Sequence, residues 1–513
     1  MEAHMAYIRY VNNPNGAVYA SLVDGIRNGN TVRQKYIANL GRVIDREKGI
    51  YKNRERGIYQ FSLENGYSQV PGELIPAEAQ APEKEKLILD FGDSYVLEKY
   101  FRTLPFYGAV CNTVQDTDTL LALLFYRILT DRKAYCYAQP WWEGNYAGFL
   151  FPQAHLQSQR VSEFLAMLGS EAVQRSFFAE YLAAIYGKDN TPSGILIDST
   201  GLDNASRMSI TQINNHNGEI SMEIRLVYVI DRHNGMPVYF RYCPGNIVDV
   251  STLCTTVAEL SQYGIPIDYA IVDAGYFSED NIKALYRGKV HFVTRLAPNR
   301  KLYKQTAESE LPDILSSKYA VRYGNRLIYM KKKEVDVYGY TGYAYIGVDT
   351  DSRNQQYKRS AFAAIDDNLP PEEMDARMAK LGVFMLLSSD DLGTGEILPL
   401  YYTRQQIEQV FDIGKNNADL LPLRVQNEDT FRGHLMVTFM ATAILQRLQR
   451  DILKKRKKND KTNPEGAFMK LRNQKCKVYE KNIIPQEPVK DINAVYKLLG
   501  IECPVVIARD KSV

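Results

Sequence analysis

The chain has 513 residues, of which 45% are hydrophobic and 24% are charged, and its formal net charge is +3. This globular composition predicts roughly three domains. The charge is only mildly basic, so a polyanionic partner would have to be bound by local patches. The six cysteines are scattered without the close pairs of a zinc site, which favours a reducing, cytoplasmic setting. The sequence shows neither an apolar signal core nor a bilayer-spanning run, and we expect no membrane association.

The first segment, residues 1–69, is predicted to be a small module rich in β-strands. Residues 5–46 alternate apolar and polar positions, and Asn28-Gly29-Asn30 is typical of a hairpin turn. Cations spaced along exposed strands can replace counterions on DNA, which favours DNA binding; a solvated charged surface is the alternative. The cations are Arg9, Arg27, Arg33, Lys35, Arg42, Arg46, Lys48, Lys52, Arg54 and Arg56, and Tyr36, Tyr51 and Tyr59 lie between them.

A linker and a helical domain are predicted next. Residues 70–86 are rich in proline, alanine and glutamate, a composition that resists packing. Residues 87–190 show the spacing of apolar residues that is typical of helices. Trp141 and Trp142 lie in this region, and burial between helices is a commoner role for such a pair than stacking on a base.

The remaining sequence predicts an α/β fold. Three short β-rich runs begin near residue 194, with Asn234-Gly235 as a turn between the second and third, and strands then alternate with helices. This order resembles a ribonuclease-H-like core that is interrupted by a β-rich insertion. The predicted boundaries are 191–299 for the first part of the core, 300–380 for the insertion, 381–453 for the second part of the core and 454–513 for a basic loop (Lys454 to Lys461) and carboxyl-terminal tail.

Two aspartates follow apolar runs of the predicted sheet. Asp198 follows the apolar run of GILIDST, and Asp273 follows the apolar run of YAIVDAGYF. Because open α/β sheets bind ligands at the carboxyl ends of their strands, these carboxylates could converge at one edge. The alternative for each is a simple turn cap.

A third cluster of polar residues lies in the segment YYTRQQIEQVFDIGKNN. Tyr401, Arg404, Glu408 and Lys415 are separated by three, four and seven residues, so the sequence predicts that they project from one face of a long helix that starts near Leu398. Carboxylate, guanidinium, ammonium and phenol groups together suit binding of metal and phosphate. A surface helix with intrahelical ion pairs is the alternative.

The motifs that contain these residues resemble those of a known protein family. The pattern Tyr-x2-Arg-x3-Glu-x6-Lys resembles the YREK signature of the insertion-sequence-four superfamily of DDE transposases. The segments IDST and VDAGYF resemble the first and second acidic motifs of that superfamily and occur in the right order. The resemblance covers roughly residues 190–450.

The resemblance implies an active site for metal-dependent DNA cleavage and strand transfer. Asp198, Asp273 and Glu408 would hold Mg²⁺ or Mn²⁺, with Asp198 bridging two ions that lie about 4 Å apart. The implied reaction cuts the inverted-repeat ends of a transposon and joins the freed 3′-OH groups to target DNA. Because two ends must be cut and joined together, a homodimer on the DNA is expected.

The resemblance also implies contacts with DNA phosphates. Tyr401, Arg404 and Lys415 would bind phosphates of the transposon end. Arg295, in FVTRLA, lies at a similar place to a basic residue near the active site of the family.

Two other functions remain open from sequence. The first is a catalytically silent DNA-binding protein that descends from a transposase. The second is a hydrolase such as a glycosidase, which would also use paired carboxylates but would not need Arg404 and Lys415 near Glu408.

Overall fold

The structure is a computed structural model that divides into two compact units, Met1–Lys86 and Leu87–Val513. Apart from its two end residues, the linker predicted over 70–86 lies outside the described residues. The described residues are 3–13, 17–28, 31–70, 86–130, 134–187, 194–204, 208–216, 219–247, 249–263, 267–417, 425 and 427–509.

The first unit is one antiparallel sheet of six strands in sequence order. The predicted hairpin is confirmed, because Asn28 pairs with Thr31, although Gly29 and Asn30 themselves lie outside the described residues. The strands are β1 (Ala3–Asn12), β2 (Val18–Asn28), β3 (Thr31–Asp45), β4 (Ile50–Asn53), β5 (Gly57–Ser62) and β6 (Gly66–Gln69).

The tyrosines of the first unit divide between its core and its surface. Tyr51 and Tyr59 are buried with Leu40 and Phe61 in a small core, so neither can stack on a base. Tyr36 is exposed. The basic side chains described in this unit, Arg9, Lys35, Arg42, Arg46, Lys48, Lys52, Arg54 and Arg56, are all exposed.

Among its described residues, the second unit begins with a short strand and seven α-helices. Trp142 donates its indole N–H to the carbonyl oxygen of Phe151 at 3.1 Å, and Trp141 packs edge-on against Tyr126, so both tryptophans have the packing role expected from sequence. The elements are β7 (Leu87–Asp90), α1 (Gly92–Arg102), α2 (Tyr107–Cys111), α3 (Thr117–Leu129), α4 (Ala138–Glu143), α5 (Ala147–Leu150), α6 (Ser158–Leu168) and α7 (Glu171–Tyr186).

A mixed sheet of ten strands follows, and its first half has the strands and helices predicted from sequence. The predicted turn at Asn234-Gly235 is confirmed, and Gly235 has the positive φ of 58° that favours glycine. The elements are β8 (Ile195–Asp203), β9 (Gln212–His216), β10 (Glu219–Asp231), β11 (Pro237–Pro244), α8 (Asp249–Gln262), β12 (Tyr269–Val272), α9 (Glu279–Arg287) and β13 (His291–Arg295).

The segment interpreted as an insertion extends this same sheet. The strand order is β11-β10-β8-β12-β13-β17-β16-β15-β14, with β9 paired to β10. The segment also contains three α-helices. Its elements, followed by the returning strand, are α10 (Lys301–Glu310), β14 (Ala320–Tyr323), β15 (Arg326–Val337), β16 (Tyr340–Asp349), α11 (Thr350–Asp366), α12 (Pro371–Ala379) and β17 (Val383–Ser388).

The last part of the chain is folded rather than a simple tail. Strands β18, β19 and β20 form a second sheet with β7. Among the described helices, none is long and apolar enough to cross a membrane. The elements are α13 (Thr394–Tyr402), α14 (Gln405–Asp412), α15 (Glu428–Lys455), α16 (Pro464–Leu471), β18 (Lys475–Val478), β19 (Asn482–Pro485), α17 (Lys490–Leu499) and β20 (Ile507–Ala508).

Helix α15 is the central helix of the second unit. Its residues from Leu435 to Leu445 are all buried, which gives them a packing role and leaves no exposed apolar face for a partner there. Phe439 lies 5.3 Å from the ring centre of Phe178 and 6.0 Å from that of Tyr228, so the helix covers one face of the sheet. This packing holds the sheet rigid beneath the candidate site.

Candidate active site

The two aspartates are aligned by the register of two parallel strands. In the β8 and β12 pair, Val272 lies opposite Ile197, and Asp273 and Asp198 are the next residues along each strand. The prediction that Asp198 ends its strand is wrong, because β8 continues to Asp203. The physical reason is that β10 still pairs with β8 beyond the point where the shorter β12 has ended.

The prediction of one continuous helix for the polar cluster is also wrong. Tyr401 lies at the end of α13, Arg404 lies between helices, Glu408 lies in α14, and Lys415 lies in a π-helical turn. The break occurs where the backbone N–H of Arg404 bonds to the carbonyl oxygen of Tyr401, three residues back, at 3.1 Å. The hydroxyl of Thr403 also donates to a carbonyl oxygen of the last turn of α13, at 2.7 Å. Such bonds tighten and end an α-helix.

The apolar side of this segment packs as predicted. Ile407 and Val410 are fully buried. Phe411 packs edge-on against Tyr228 of β10, with ring centres 5.6 Å apart. Packing on the sheet therefore fixes α14, and with it the side of the helix that carries Glu408, against β8 and β10.

The three acidic side chains meet at the guanidinium of Arg404. Its Nη2 atom lies 3.0 Å from Oδ2 of Asp198 and 3.2 Å from Oδ2 of Asp273, and its Nη1 atom lies 3.9 Å from Oε1 of Glu408. The side chain of Asp198 is 14% exposed, whereas that of Glu408 is 59% exposed. The structure therefore brings together three carboxylates from three different elements, with one cation between them.

Burial and charge act in opposite directions at this cluster. Burial raises the pKa of Asp198, although the charge of Arg404 and a hydrogen bond from the backbone N–H of Ser199 lower it. Burial by itself would lower the pKa of Arg404, but the charges of Asp198 and Asp273 outweigh it, and the pKa is raised. The guanidinium therefore stays charged and balances carboxylates that are partly removed from water.

The other two residues of the motif are Tyr401 and Lys415. The Nζ of Lys415 donates to the hydroxyl of Thr200 at 2.5 Å, and burial lowers the pKa of Lys415. Tyr401 is buried, and burial, with the nearby charge of Asp273, raises its pKa to about 12. Tyr401 therefore lies near Asp273, whereas the carboxylates whose charges act on Lys415 are those of Asp203, Asp412 and Glu223.

Arg295 lies at the end of β13, where its side chain is exposed. Its charge opposes the rise in the pKa of Tyr401, which places the two side chains close together. Arg295 therefore lies on the Tyr401 side of the site.

A buried ion pair not predicted from sequence lies beside the strand of Asp198. Arg225 and Glu223 are both buried, 3.5 Å apart, and Arg225 donates to the hydroxyl of Ser199 at 3.1 Å. A Cβ atom at Gly201 would lie 2.3 Å from a carboxylate oxygen of Glu223, so the side chain of Glu223 would have to shift. The sequence signal for this pair is that Glu223 and Arg225 occupy alternate positions in the largely apolar strand β10. The pair anchors β8 immediately after Asp198.

The donor set fits a divalent cation by its chemistry. Carboxylate oxygens are preferred ligands of Mg²⁺ and Mn²⁺. Among the described residues, however, no three Asp, Glu, His or Cys side chains are arranged to hold a metal ion as they stand. The guanidinium of Arg404 lies between the acidic groups, so Arg404 has to move before these three could share a metal.

Residues 189–444 match the family described as "Transposase DDE domain". The solved structures that are similar to this chain include the piggyBac transposase synaptic complex with hairpin DNA, a cryo-EM structure. It shows 10% sequence identity, covers 74% of this chain and 79% of that chain, and has a TM-score of 0.39. No curated protein matches the sequence. The matched residues 189–444 include the whole ten-stranded sheet and all three residues of the acidic cluster, and this segment is similar to a transposase DDE domain.

Proposed function

We propose that the chain is a cut-and-paste DNA transposase in which Asp198, Asp273 and Glu408 hold divalent metal. Its substrates would be the inverted-repeat ends of a transposon and the target DNA. The observation that carries the proposal is the contact of one guanidinium with these three acidic side chains inside a segment that is similar to a transposase DDE domain. A silent descendant has no need to keep all three carboxylates together.

The proposed core is ribonuclease-H-like, within the insertion-sequence-four superfamily. Support comes from the order β11-β10-β8-β12-β13, in which β8, β10 and β11 are antiparallel and β12 and β13 run parallel to β8. In this proposal the helical domain is 87–190, the core is 191–299 and 381–453, and the insertion is 300–380. The YREK pattern at Tyr401 to Lys415 supports the superfamily.

In this proposal, some side chains of the site bind metal and others bind phosphate. Bound Mg²⁺ or Mn²⁺, proposed as two ions, would supply Lewis acidity for phosphodiester cleavage. Tyr401, Arg404, Lys415 and Arg295 would bind and orient the DNA phosphates. In the first step water attacks the phosphorus atom, the bond to the 3′ oxygen breaks, and that oxygen leaves as the 3′-OH that later attacks the target.

The first unit is proposed to bind DNA, and its cross-strand pairs support this. Arg42 of β3 and Lys52 of β4 are directly opposite each other, and both are exposed. Like charges at opposed positions destabilise a sheet. A polyanion bound to this face would remove that repulsion, which a purely solvated surface would retain.

The test is DNA cleavage by Glu408→Gln. The substrate is DNA from either side of the gene, where inverted repeats would mark the transposon ends. We expect the wild type to release 3′-OH ends only with Mg²⁺ or Mn²⁺. Glu408→Gln should cleave at least about 100-fold more slowly and bind the same DNA with little change, because it removes a metal ligand and not a phosphate contact.

The control is Glu373→Gln, which removes an exposed carboxylate from α12. It should cleave like the wild type. Metal-independent binding without cleavage by the wild type would identify a silent DNA-binding descendant. Equal loss of binding and cleavage in Glu408→Gln would indicate misfolding, which thermal unfolding of the variant would reveal.

A further inference from the structure

A polar cavity opens beside the acidic cluster, on the side of the inserted strands. Its volume is about 250 Å³, and it is lined by side chains from β13, β15, β17, α11 and α13 and by residues that flank them. Tyr401 lines this cavity and also lies next to Asp273 and Arg404. The cavity is therefore adjacent to the candidate active site.

The charge of this cavity is strongly positive. Arg295, Arg326 and Lys380 line it, and among the described residues of its lining Asp349 is the one carboxylate. Asp349 is buried, forms an ion pair with Arg326 and accepts hydrogen bonds from two backbone N–H groups at the start of α11. Because the carboxylate of Asp349 is already paired with Arg326, Arg295 and Lys380 have no counter-charge from the lining.

Arg326 is held in a fixed position. Its guanidinium is bonded to Asp349 and lies over the ring of Tyr402, 5.8 Å from the ring centre. Tyr402 in turn stacks on Tyr323, with ring centres 4.9 Å apart and an angle of 17° between planes. A guanidinium fixed in this way loses little conformational entropy when it binds an anion, and its planar geometry suits phosphate oxygens.

We propose that this cavity binds a backbone phosphate of the DNA strand that passes through the active site, with Arg326 and Lys380 as the phosphate ligands beside Arg295. The inference rests on the proposed function and extends it to two residues outside the YREK segment. Arg295 and Lys380 bring two uncompensated positive charges to one cavity, and a phosphodiester is the anion that the neighbouring site must already accommodate. Contacts of this kind set the position of DNA without reading its sequence.

The test measures the salt dependence of binding to a short mixed-sequence DNA duplex. Each phosphate contact contributes about 0.9 to the slope of log affinity against log salt. Arg295→Gln/Lys380→Gln should reduce the magnitude of this slope by about 1, and Arg326→Gln should weaken binding further. The double variant removes exposed side chains only, so it avoids leaving the buried carboxylate of Asp349 unpaired.

The matched control is Arg322→Gln/Lys358→Gln. It removes the same charge from exposed positions on β14 and α11 outside the lining of the cavity, and its slope should match the wild type. Cavity variants that fold normally and keep the wild-type slope would overturn the inference. A wild type that shows no salt-dependent binding would instead contradict the proposed function.

Adding inorganic phosphate shows whether the ligand of the cavity is DNA or a small free anion. If phosphate raises the unfolding temperature of the wild type but not of Arg295→Gln/Lys380→Gln, while the DNA slope is unchanged, the cavity is a small-anion site and the proposal is wrong. A reduced DNA slope in the cavity variant supports the proposal whether or not free phosphate also binds.

Discussion

Nη2 of Arg404 lies 3.0 Å from Oδ2 of Asp198, so a residue with the sequence signature of a phosphate ligand is bonded to a proposed metal ligand. The same nitrogen contacts Asp273. The guanidinium therefore supplies positive charge to two of the three proposed metal ligands. A DNA phosphate that draws Arg404 away would free the carboxylates for metal.

Arg404→Gln is predicted to tighten metal binding in the absence of DNA. Removing the internal cation leaves the carboxylates to repel each other, and a divalent ion would relieve this repulsion. We expect Mn²⁺ to bind about tenfold more tightly by isothermal titration calorimetry, which corresponds to about 1.4 kcal/mol. DNA binding should weaken in the same variant.

The control for this experiment is Arg447→Gln, which removes a cation that pairs with Asp451 on α15. It should leave Mn²⁺ affinity unchanged. Weaker Mn²⁺ binding by Arg404→Gln would mean that the guanidinium orders the carboxylates for metal and does not compete with it.

A second prediction concerns Arg42 and Lys52 in the first unit. Arg42→Gln/Lys52→Gln should reduce the magnitude of the salt slope of DNA binding by about 2, since two cations would no longer replace counterions. The free energy of unfolding should stay equal or rise by about 0.2–1 kcal/mol, because a like-charge pair is removed.

Its control is Arg160→Gln/Arg175→Gln, which removes two exposed cations from α6 and α7. That variant should keep the wild-type slope. An unchanged slope for Arg42→Gln/Lys52→Gln would remove the β3 and β4 face from the DNA-binding surface. Deletion of residues 1–70, which we expect to abolish specific end binding, would then show whether another part of this unit is involved.

A third prediction tests the packing of α15 against α6. A Cβ atom at Gly433 of α15 would overlap the carbonyl oxygen of Leu165 in α6, so the two helices approach closely because a side chain is absent. Gly433→Ala should lower the free energy of unfolding by about 1–3 kcal/mol, measured by denaturant titration. Gly395→Ala in α13 meets open space and should be neutral or stabilising by about 0.5 kcal/mol. Equal effects of both changes would contradict the close packing of α6 and α15.

Local patterns predict the elements that carry the site better than they predict its geometry. The strand that contains Asp198 and the strand that ends just before Asp273 follow from apolar runs, and their alignment follows from parallel pairing. The break between Tyr401 and Arg404 does not follow from spacing, because three- and four-residue intervals remain compatible with a continuous helix. It depends on local hydrogen bonds that compete with the helix.

Long-range partners are harder to predict because one side chain can serve several roles. The residue types and spacing indicate that Arg404 binds an anion, and they do not say whether this is a phosphate or Asp198. The partner depends on which groups the fold brings within reach, and on whether DNA is present. For the same reason the pairing of Arg326 with Asp349 could not be read from sequence, since the two residues meet only across β15 and β16.

The last prediction concerns the number of copies in the active complex. Excision and insertion require two DNA ends to be cut and joined together, whereas one set of Asp198, Asp273 and Glu408 supplies one active site. We therefore expect at least a dimer on paired ends, although DNA bridging can supply much of the association energy and the free protein can be a monomer. Wild type and Glu408→Gln are mixed on end DNA, and joining of both ends is measured against the mutant fraction. If both copies must be competent, an equal mixture should retain about one quarter of the joining, because complexes form at random. A linear fall, with full joining by isolated monomeric complexes, would show that one copy suffices.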